Sequence, residues 1–276
     1  VMFCWRLVWE QTELSAASRQ RLNLAVLSCK EFFMSKVVIV TGGGRGIGAA
    51  TAKLLASSGY QVCVNYRANA ESANATVSAI TASGGKAFSF QADVSNESDV
   101  IALFDATEAR FGAVTHLVNN AGILLPQSGF AGIDVERFNK VLISNVTSCF
   151  LCSREFIKRT KSQGAIVNVS SAAARTGAPF EYIDYAASKG AMDSLTKGLS
   201  LEVAAQGIRV NAVRPGFIYT EMHADGGEPN RVDRLSPQIP LQRGGTADEV
   251  ANAIAWLLSD EASYVTGSFI DLAGGK

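Results

Sequence analysis

Val37-Val38-Ile39-Val40-Thr41-Gly42-Gly43-Gly44-Arg45-Gly46-Ile47-Gly48 carries a short β-branched run directly into a glycine-rich turn. The first four residues fit a strand buried on both faces. A helix is predicted from about Ile47 to Ser58, with Gly59 where a C-terminal cap is wanted. In this order, strand, turn and helix form a setting in which backbone N–H groups and the positive end of a helix hold phosphates. Gly42 permits the tight turn, Gly46 lets the backbone approach a pyrophosphate, and Gly48 allows helix and strand to pack closely. The spacing is GxxxGxG rather than GxGxxG, and the physical task is the same.

Outward from this turn the alternation continues. Strands are predicted at Val62–Asn65, Ala87–Gln91, His116–Asn119, Ala165–Val169, Arg209–Val213 and Ser268–Leu272. Helices are predicted at Asn69–Ala82, Glu97–Phe111, Asp134–Thr160, Tyr185–Ala205 and Ala247–Ser259. About seven strands separated by helical periods imply an α/β fold, a doubly wound parallel sheet with helices on both faces. No repeat, low-complexity tract or charged linker divides residues 36–276, which read as one domain.

Composition narrows the classes of function. The 276 residues are 47% hydrophobic and 18% charged, which fits a globular chain with a large core. Lys+Arg 25 against Asp+Glu 25 offers no electrostatic reason for nucleic acid or an anionic membrane as partner. No apolar run reaches the ~18–20 residues that span a bilayer. The scattered Cys4, Cys29, Cys63, Cys149 and Cys152 make a poor disulfide framework, so a cytoplasmic location is expected. His116 and His223 stand far apart, and no metal is expected. Cys149-Phe150-Leu151-Cys152 falls inside a helix between apolar residues and reads as packing rather than redox or zinc chemistry.

The segment before the first strand reads differently. Arg6, Glu10 and Glu13 interrupt its apolar stretches, unlike a secretory signal. Met34-Ser35-Lys36 directly precedes the strand, so Met34 is expected to be the natural start and residues 1–35 an N-terminal extension. The alternative is a real N-terminal helix packed on the surface or on a partner subunit.

Thr41–Gly48, Asn119-Asn120-Ala121-Gly122 after the fourth strand, and Tyr185-x-x-x-Lys189 together resemble the short-chain dehydrogenase/reductase superfamily, in its compact single-domain branch. The resemblance covers about Lys36 to Gly275, with the motifs in the family's order. It implies a Rossmann-type sheet, hydride transfer between a nicotinamide coenzyme and a secondary alcohol or carbonyl, and a homotetramer. In that assembly the helices Asp134–Thr160 and Tyr185–Ala205 would pair across a twofold axis.

The catalytic expectation also has a physical basis. Tyr185 and Lys189 lie four residues apart at the start of a helix and project from one face. A lysine cation ~5 Å from the phenol is worth about 3 kcal/mol at an effective dielectric of ~20, which would draw the phenol down toward neutral pH. By resemblance, Lys189 also binds the nicotinamide ribose. Ser171 closes a strand at its carboxyl end, where ligands bind in parallel sheets. By resemblance it polarises the substrate carbonyl, with Ser170 as its rival. Asn145 matches the fourth family residue, which holds a water in the proton relay. Its other reading is a buried polar residue bonding backbone carbonyls.

For the coenzyme, no acid follows the second strand at the ribose-selecting position. The strand ends Val64-Asn65-Tyr66-Arg67. Arg45 and Arg67 form a pair able to grip a 2′-phosphate, so NADP(H) is favoured while NAD(H) stays possible. The expected coenzyme residues are Gly42, Arg45, Gly46, Ile47, Gly48, Asn65, Arg67, Asp93, Val94, Asn119, Ala121, Gly122, Tyr185, Lys189, Pro215, Gly216, Ile218 and Thr220. Of these, Asp93-Val94 resembles the adenine-contact pair, and Pro215–Thr220 the turn beside the nicotinamide.

Residues 217–241, rich in glycine and proline, read as a mobile lid over a small-molecule substrate. Its arginines could meet an anionic substrate, or simply face solvent. Gln127, Glu181, Tyr182 and His223 could bind hydroxyls. Two substrate readings lead, a sugar- or polyol-like alcohol and a 3-oxoacyl thioester, and a keto-steroid or xenobiotic carbonyl is the remainder. A non-catalytic NADP-binding sensor on the same fold is the alternative, though a sensor need keep only the glycine loop. An epimerase or dehydratase usually needs a larger substrate region.

Overall fold

The computed structural model describes residues 36–160 and 163–276. The expectation about Met34 and the segment before it lies outside the described residues. Seven parallel strands, β1 (Val37–Val40), β2 (Gln61–Tyr66), β3 (Lys86–Gln91), β4 (His116–Asn119), β5 (Gly164–Val169), β6 (Ile208–Pro215) and β7 (Phe269–Leu272), form one sheet in the order β3-β2-β1-β4-β5-β6-β7. β1 and β4 are neighbours although three strands apart in sequence. The chain therefore departs in opposite directions from their carboxyl ends, which opens a crevice there.

The β-branched run of β1 is buried on both faces, as its composition requires. Val38 and Val40 join a core with Ala52 and Leu55 of α1 (Gly46–Ser57), Ala73 and Ile80 of α2 (Ala70–Ala82), and a later helix, Ala247–Leu258. Val37 and Ile39 join the opposite core with Leu103 and Phe104 of α3 (Glu97–Phe111). Side-chain caps start several helices. Asn69 accepts from the Ser72 amide, Asn96 from Ser98 and Asp99, and Thr246 forms a reciprocal capping box with Glu249. α1 has no side-chain cap, which leaves its first amides for a ligand.

The single helix expected over Asp134–Thr160 is divided. α4 (Val135–Leu142), capped by Asp134, passes through a π turn (Ile143–Thr147) into α5 (Ser148–Arg159). The cause is local: the Asn145 side chain is drawn onto the backbone of Ile123, and Ser148 Oγ donates to the Ser144 carbonyl (2.7 Å). After β5 come α6 (Ala173–Thr176) and α7 (Ile183–Val203). The segment expected as a lid holds two short helices, α8 (Met222–Asp225) and α9 (Arg231–Leu235), and α10 (Ala247–Leu258) follows it.

Gly48 explains how closely α1 seats on the turn. A Cβ there would lie 2.4 Å from the Gly42 carbonyl oxygen and 2.6 Å from Asn120 Nδ2. Gly48→Ala is expected to cost about 1–3 kcal/mol by overpacking, lowering Tm by roughly 2–10 °C. Scanning calorimetry checks this, and an unchanged Tm would show that the loop yields.

Candidate active site

Thr41 builds the crevice. Its hydroxyl donates to the Val118 carbonyl (3.2 Å) and accepts from the amides of Asn120 and Ala121 (both 2.9 Å). Asn120 Nδ2 returns two bonds, to the carbonyls of Thr41 (2.9 Å) and Gly42 (3.1 Å). On the other side, Asn65 Oδ1 accepts from the Gly42 amide (3.3 Å), while its Nδ2 donates to the Ala92 carbonyl (3.0 Å). The hydroxyls of Ser72 (2.6 Å) and Thr76 (3.2 Å) donate to the Gly44 carbonyl. The ends of β2 and β4 and the helix α2 thus hold the glycine loop by its own backbone.

A cavity of about 420 Å³ lies over this loop. Gly42, Arg45, Gly46, Ile47, Asn65, Arg67, Asp93, Val94, Ala121, Gly122 and Thr220 line it. Gly46, at φ +50°, fits the loop to this wall: a Cβ there would stand 3.2 Å from Thr220 Cγ2. Burial opposes ionisation of Asp93, but the Ser95 hydroxyl and amide and the nearby Arg67 outweigh it and hold the carboxyl below its ordinary value. The donor set and the glycine cradle fit a dinucleotide phosphate.

Two expected coenzyme residues, Asn119 and Gly48, line neither cavity. Asn119 is buried and turned into the core, where its Nδ2 donates to Ser153 Oγ and Asn168 Oδ1 (both 2.9 Å), so the structure does not bring it to the cavity. Successive residues at a strand end face opposite ways, and it is Asn120 that reaches the crevice. Arg45 lines the cavity, but its guanidinium is paired with Asp225 of α8.

A second cavity of about 310 Å³ shares Ile47, Asn120, Thr220 and Met222 with the first. Ser171, Tyr185, Lys189, Pro215, Gly216 and Ile218 line it. Ser171 Oγ accepts from the Ala173 amide (3.1 Å) and donates to the Pro215 carbonyl (3.5 Å). Ser170, its rival, is buried with its hydroxyl toward the Lys189 carbonyl (3.3 Å). Lys189 Nζ donates to the Val169 carbonyl (2.7 Å) and lies 5.5 Å from the Tyr185 ring centroid. Asn145 is fully buried behind this pair: it accepts from the Ile123 amide (2.8 Å) and donates to the Ile123 carbonyl (3.2 Å) and Ser188 Oγ (3.0 Å).

The expected pull of Lys189 on the phenol is not what dominates. Burial pushes Tyr185 up to about 12, against the lowering bond from Ser171. Burial also pushes Lys189 down to about 8, against the raising influence of Cys149 and Asp193. Desolvation penalises both charged forms more than sequence spacing could reveal. Cys149 and Cys152 are buried, and Cys149 Sγ lies 3.4 Å from Asn168 Oδ1, consistent with packing.

The substrate side is closed by an ion-pair cluster. Arg231 is buried and joins both carboxylate oxygens of Glu181 and, at 3.1 Å, Glu228. Glu228 also accepts from Arg234 (2.5 Å) and Gln127 (2.7 Å), and these donors, Arg234 foremost, hold its carboxyl down at about 2. Tyr182 donates to the Gly226 carbonyl (3.4 Å), and His223 Nε2 bonds the Ile218 carbonyl (3.0 Å). The groups that could meet hydroxyls or anions are thus already engaged, Gln127, Glu181 and the arginines in the cluster and Tyr182 and His223 on backbone carbonyls. Leu124, Ala173, Pro179, Phe217 and Met222 supply apolar wall.

Most of the chain is similar to known oxidoreductases. The family model described as enoyl-(acyl carrier protein) reductase matches residues 42–276. An uncharacterized oxidoreductase of Escherichia coli K12, YgfF, is 63% identical over 245 residues, covering 87% of this chain and 99% of the relative. The 3beta-hydroxysteroid dehydrogenase 1 of Eggerthella lenta is 42% identical, covering 87% and 93%. A solved mutant short-chain dehydrogenase/reductase of Serratia marcescens superposes with a TM-score of 0.81 at 36% identity, covering 87% and 97%. The chain belongs to the short-chain dehydrogenase/reductase superfamily, oxidoreductases that use a nicotinamide coenzyme.

Lys189 yields a test with a definite sign. Its folded value of about 8 lies below the ordinary 10.5, so between the two the unfolded chain binds the extra proton and this residue's contribution to stability rises with pH. Lys189→Met is expected to gain stability over wild type at pH 7.5. Toward pH 10 that advantage should shrink, by about 3 kcal/mol for the full titration. Denaturant unfolding of both proteins measures it, and a pH-independent difference would refute the buried cation.

Proposed function

We propose that this protein interconverts a secondary alcohol and a carbonyl with NADP(H) favoured over NAD(H), using Tyr185, Ser171, Lys189 and Asn145. The observation that carries the reading is the meeting of Tyr185, Ser171 and Lys189 in one cavity that opens into the glycine-loop cavity. A bound nicotinamide supplies or accepts the hydride. Arg45 and Arg67 support the 2′-phosphate preference. Asp93 and Val94 line the opposite end, suited to the adenine, and Pro215, Gly216, Ile218 and Thr220 the turn suited to the nicotinamide.

The chain's own residues manage the proton. In reduction, Ser171 donates a hydrogen bond to the substrate oxygen, and Tyr185 passes its phenolic proton to that oxygen as negative charge develops. A phenol near 12 is protonated at neutral pH and still far more acidic than an alkoxide's conjugate alcohol, so the transfer runs downhill. Lys189 then stabilises the phenolate, and Asn145, behind it, anchors the relay that returns the proton.

The substrate best supported is an uncharged ketone or alcohol with an apolar body, closest to the keto-steroid or xenobiotic reading. Arg231 and Arg234 carry their own carboxylate partners, which leaves a sugar, polyol or thioester less to recognise. Residues 217–241 act as a lid. Val135 (74% exposed), Ile143 and Phe150 leave apolar surface on the α4–α5 pair, which supports a homotetramer through these helices and α7. The balanced charge supports a small-molecule partner rather than nucleic acid, and the unpaired thiols Cys63, Cys149 and Cys152 support a cytoplasmic setting.

Tyr185→Phe is expected to lower kcat about 10²–10⁴-fold on a carbonyl panel with NADPH, while coenzyme affinity stays within a few-fold. Turnover absent from both proteins, with coenzyme still bound, would favour the nucleotide sensor, and equal turnover in both would remove Tyr185 from the chemistry. Sedimentation at micromolar concentration is expected to give a tetramer, and a stable monomer would reject that assembly.

A further inference from the structure

We propose that Asp225 tunes coenzyme choice by competing with the 2′-phosphate for Arg45. This rests on the reading that Arg45 serves that phosphate. Arg45 stands between Gly44 and Gly46 and lines the coenzyme cavity, yet its guanidinium is already bonded to a carboxylate 180 residues further along the chain. Asp225 ends α8 and belongs to the lining of neither cavity described above. Among the described residues Arg45 has no other ion-pair partner. Both side chains are about half exposed, at 50% and 46%, so water can replace either partner and the pair is free to exchange.

The charge balance around the pair gives the direction. Arg45 and Arg67 are the cations lining the cavity, and Asp93 and Glu221 are the acids. A carboxylate held on Arg45 neutralises one of the two cations and sets a like charge beside an incoming phosphate dianion. A coenzyme with a 2′-phosphate must displace Asp225 or share the guanidinium with it. A coenzyme with a plain 2′-hydroxyl leaves the pair intact. Asp225 therefore weakens NADP(H) selectively, and because it sits on α8, the 2′-phosphate also loosens the bond between this segment and the glycine loop.

Fluorescence titration of NADPH and NADH against wild type, Asp225→Asn, Arg45→Ala and the double variant tests this. Asp225→Asn is expected to tighten NADPH about three- to tenfold at low salt and leave NADH within twofold. The gain should shrink at high salt and vanish in the Arg45→Ala background. If Arg45→Ala weakens NADPH selectively but Asp225→Asn changes neither coenzyme, the competition is wrong and the 2′-phosphate reading stands. If Arg45→Ala weakens both coenzymes equally, that reading itself falls and the competition with it. A gain that persists without Arg45 would also overturn the proposal, since Asp225 would then act through another group.

Discussion

The Thr41 hydroxyl donates once and accepts twice across the carboxyl ends of β1 and β4, and both cavities depend on that bond. It ties the strand that feeds the glycine loop to the strand that feeds Asn120–Ile123, at the point where the two chains part. Valine has the same shape and none of the bonds, so buried backbone groups would lose their partner. With the two ends joined, Asn120 can clamp the Gly42 carbonyl from one side while Asn65 holds the Gly42 amide from the other. The loop is presented to a ligand already shaped, which reduces the ordering cost of binding.

Chemistry and stability pull in opposite directions a few ångströms away. Lys189 is buried against the Val169 carbonyl, and burial disfavours its charge as well as the charge of the Tyr185 phenolate. A hydrophobic pair would suit the fold better, as is common where a site needs ionisable groups. The same dry surroundings strengthen any hydrogen bond to developing charge on a substrate oxygen.

The fold was largely legible because its signals are local. The run Val37–Val40, the turn to Gly48 and the glycines behind each helix depend on neighbours within a few residues. The Tyr185–Lys189 spacing was legible for the same reason, since one helical turn puts both side chains together. What escaped notice is long-range. Asn119 and Asn120 differ only in which face of a strand end they take. Arg45 meets Asp225 through folding alone, and Glu181 and Glu228 balance Arg231 and Arg234 only once the walls assemble. Desolvation of the phenol and ammonium likewise belongs to the packed interior, and it outweighs the Coulomb attraction that the spacing alone implies.

The π turn at Ile143–Thr147 implies a constraint of number rather than chemistry. A wider turn holds one residue more than regular winding does, and each residue advances a helix by about 100°. Everything in α5 is accordingly rotated by that angle relative to an uninterrupted continuation of α4. Removing a single residue between 143 and 147 would let the winding close up and swing the Asn145 position off Ile123, while α5 kept its aim, because the wide turn is what absorbs the extra residue. The count of residues in this stretch is therefore as binding as their identity, and length variation among related chains should avoid it.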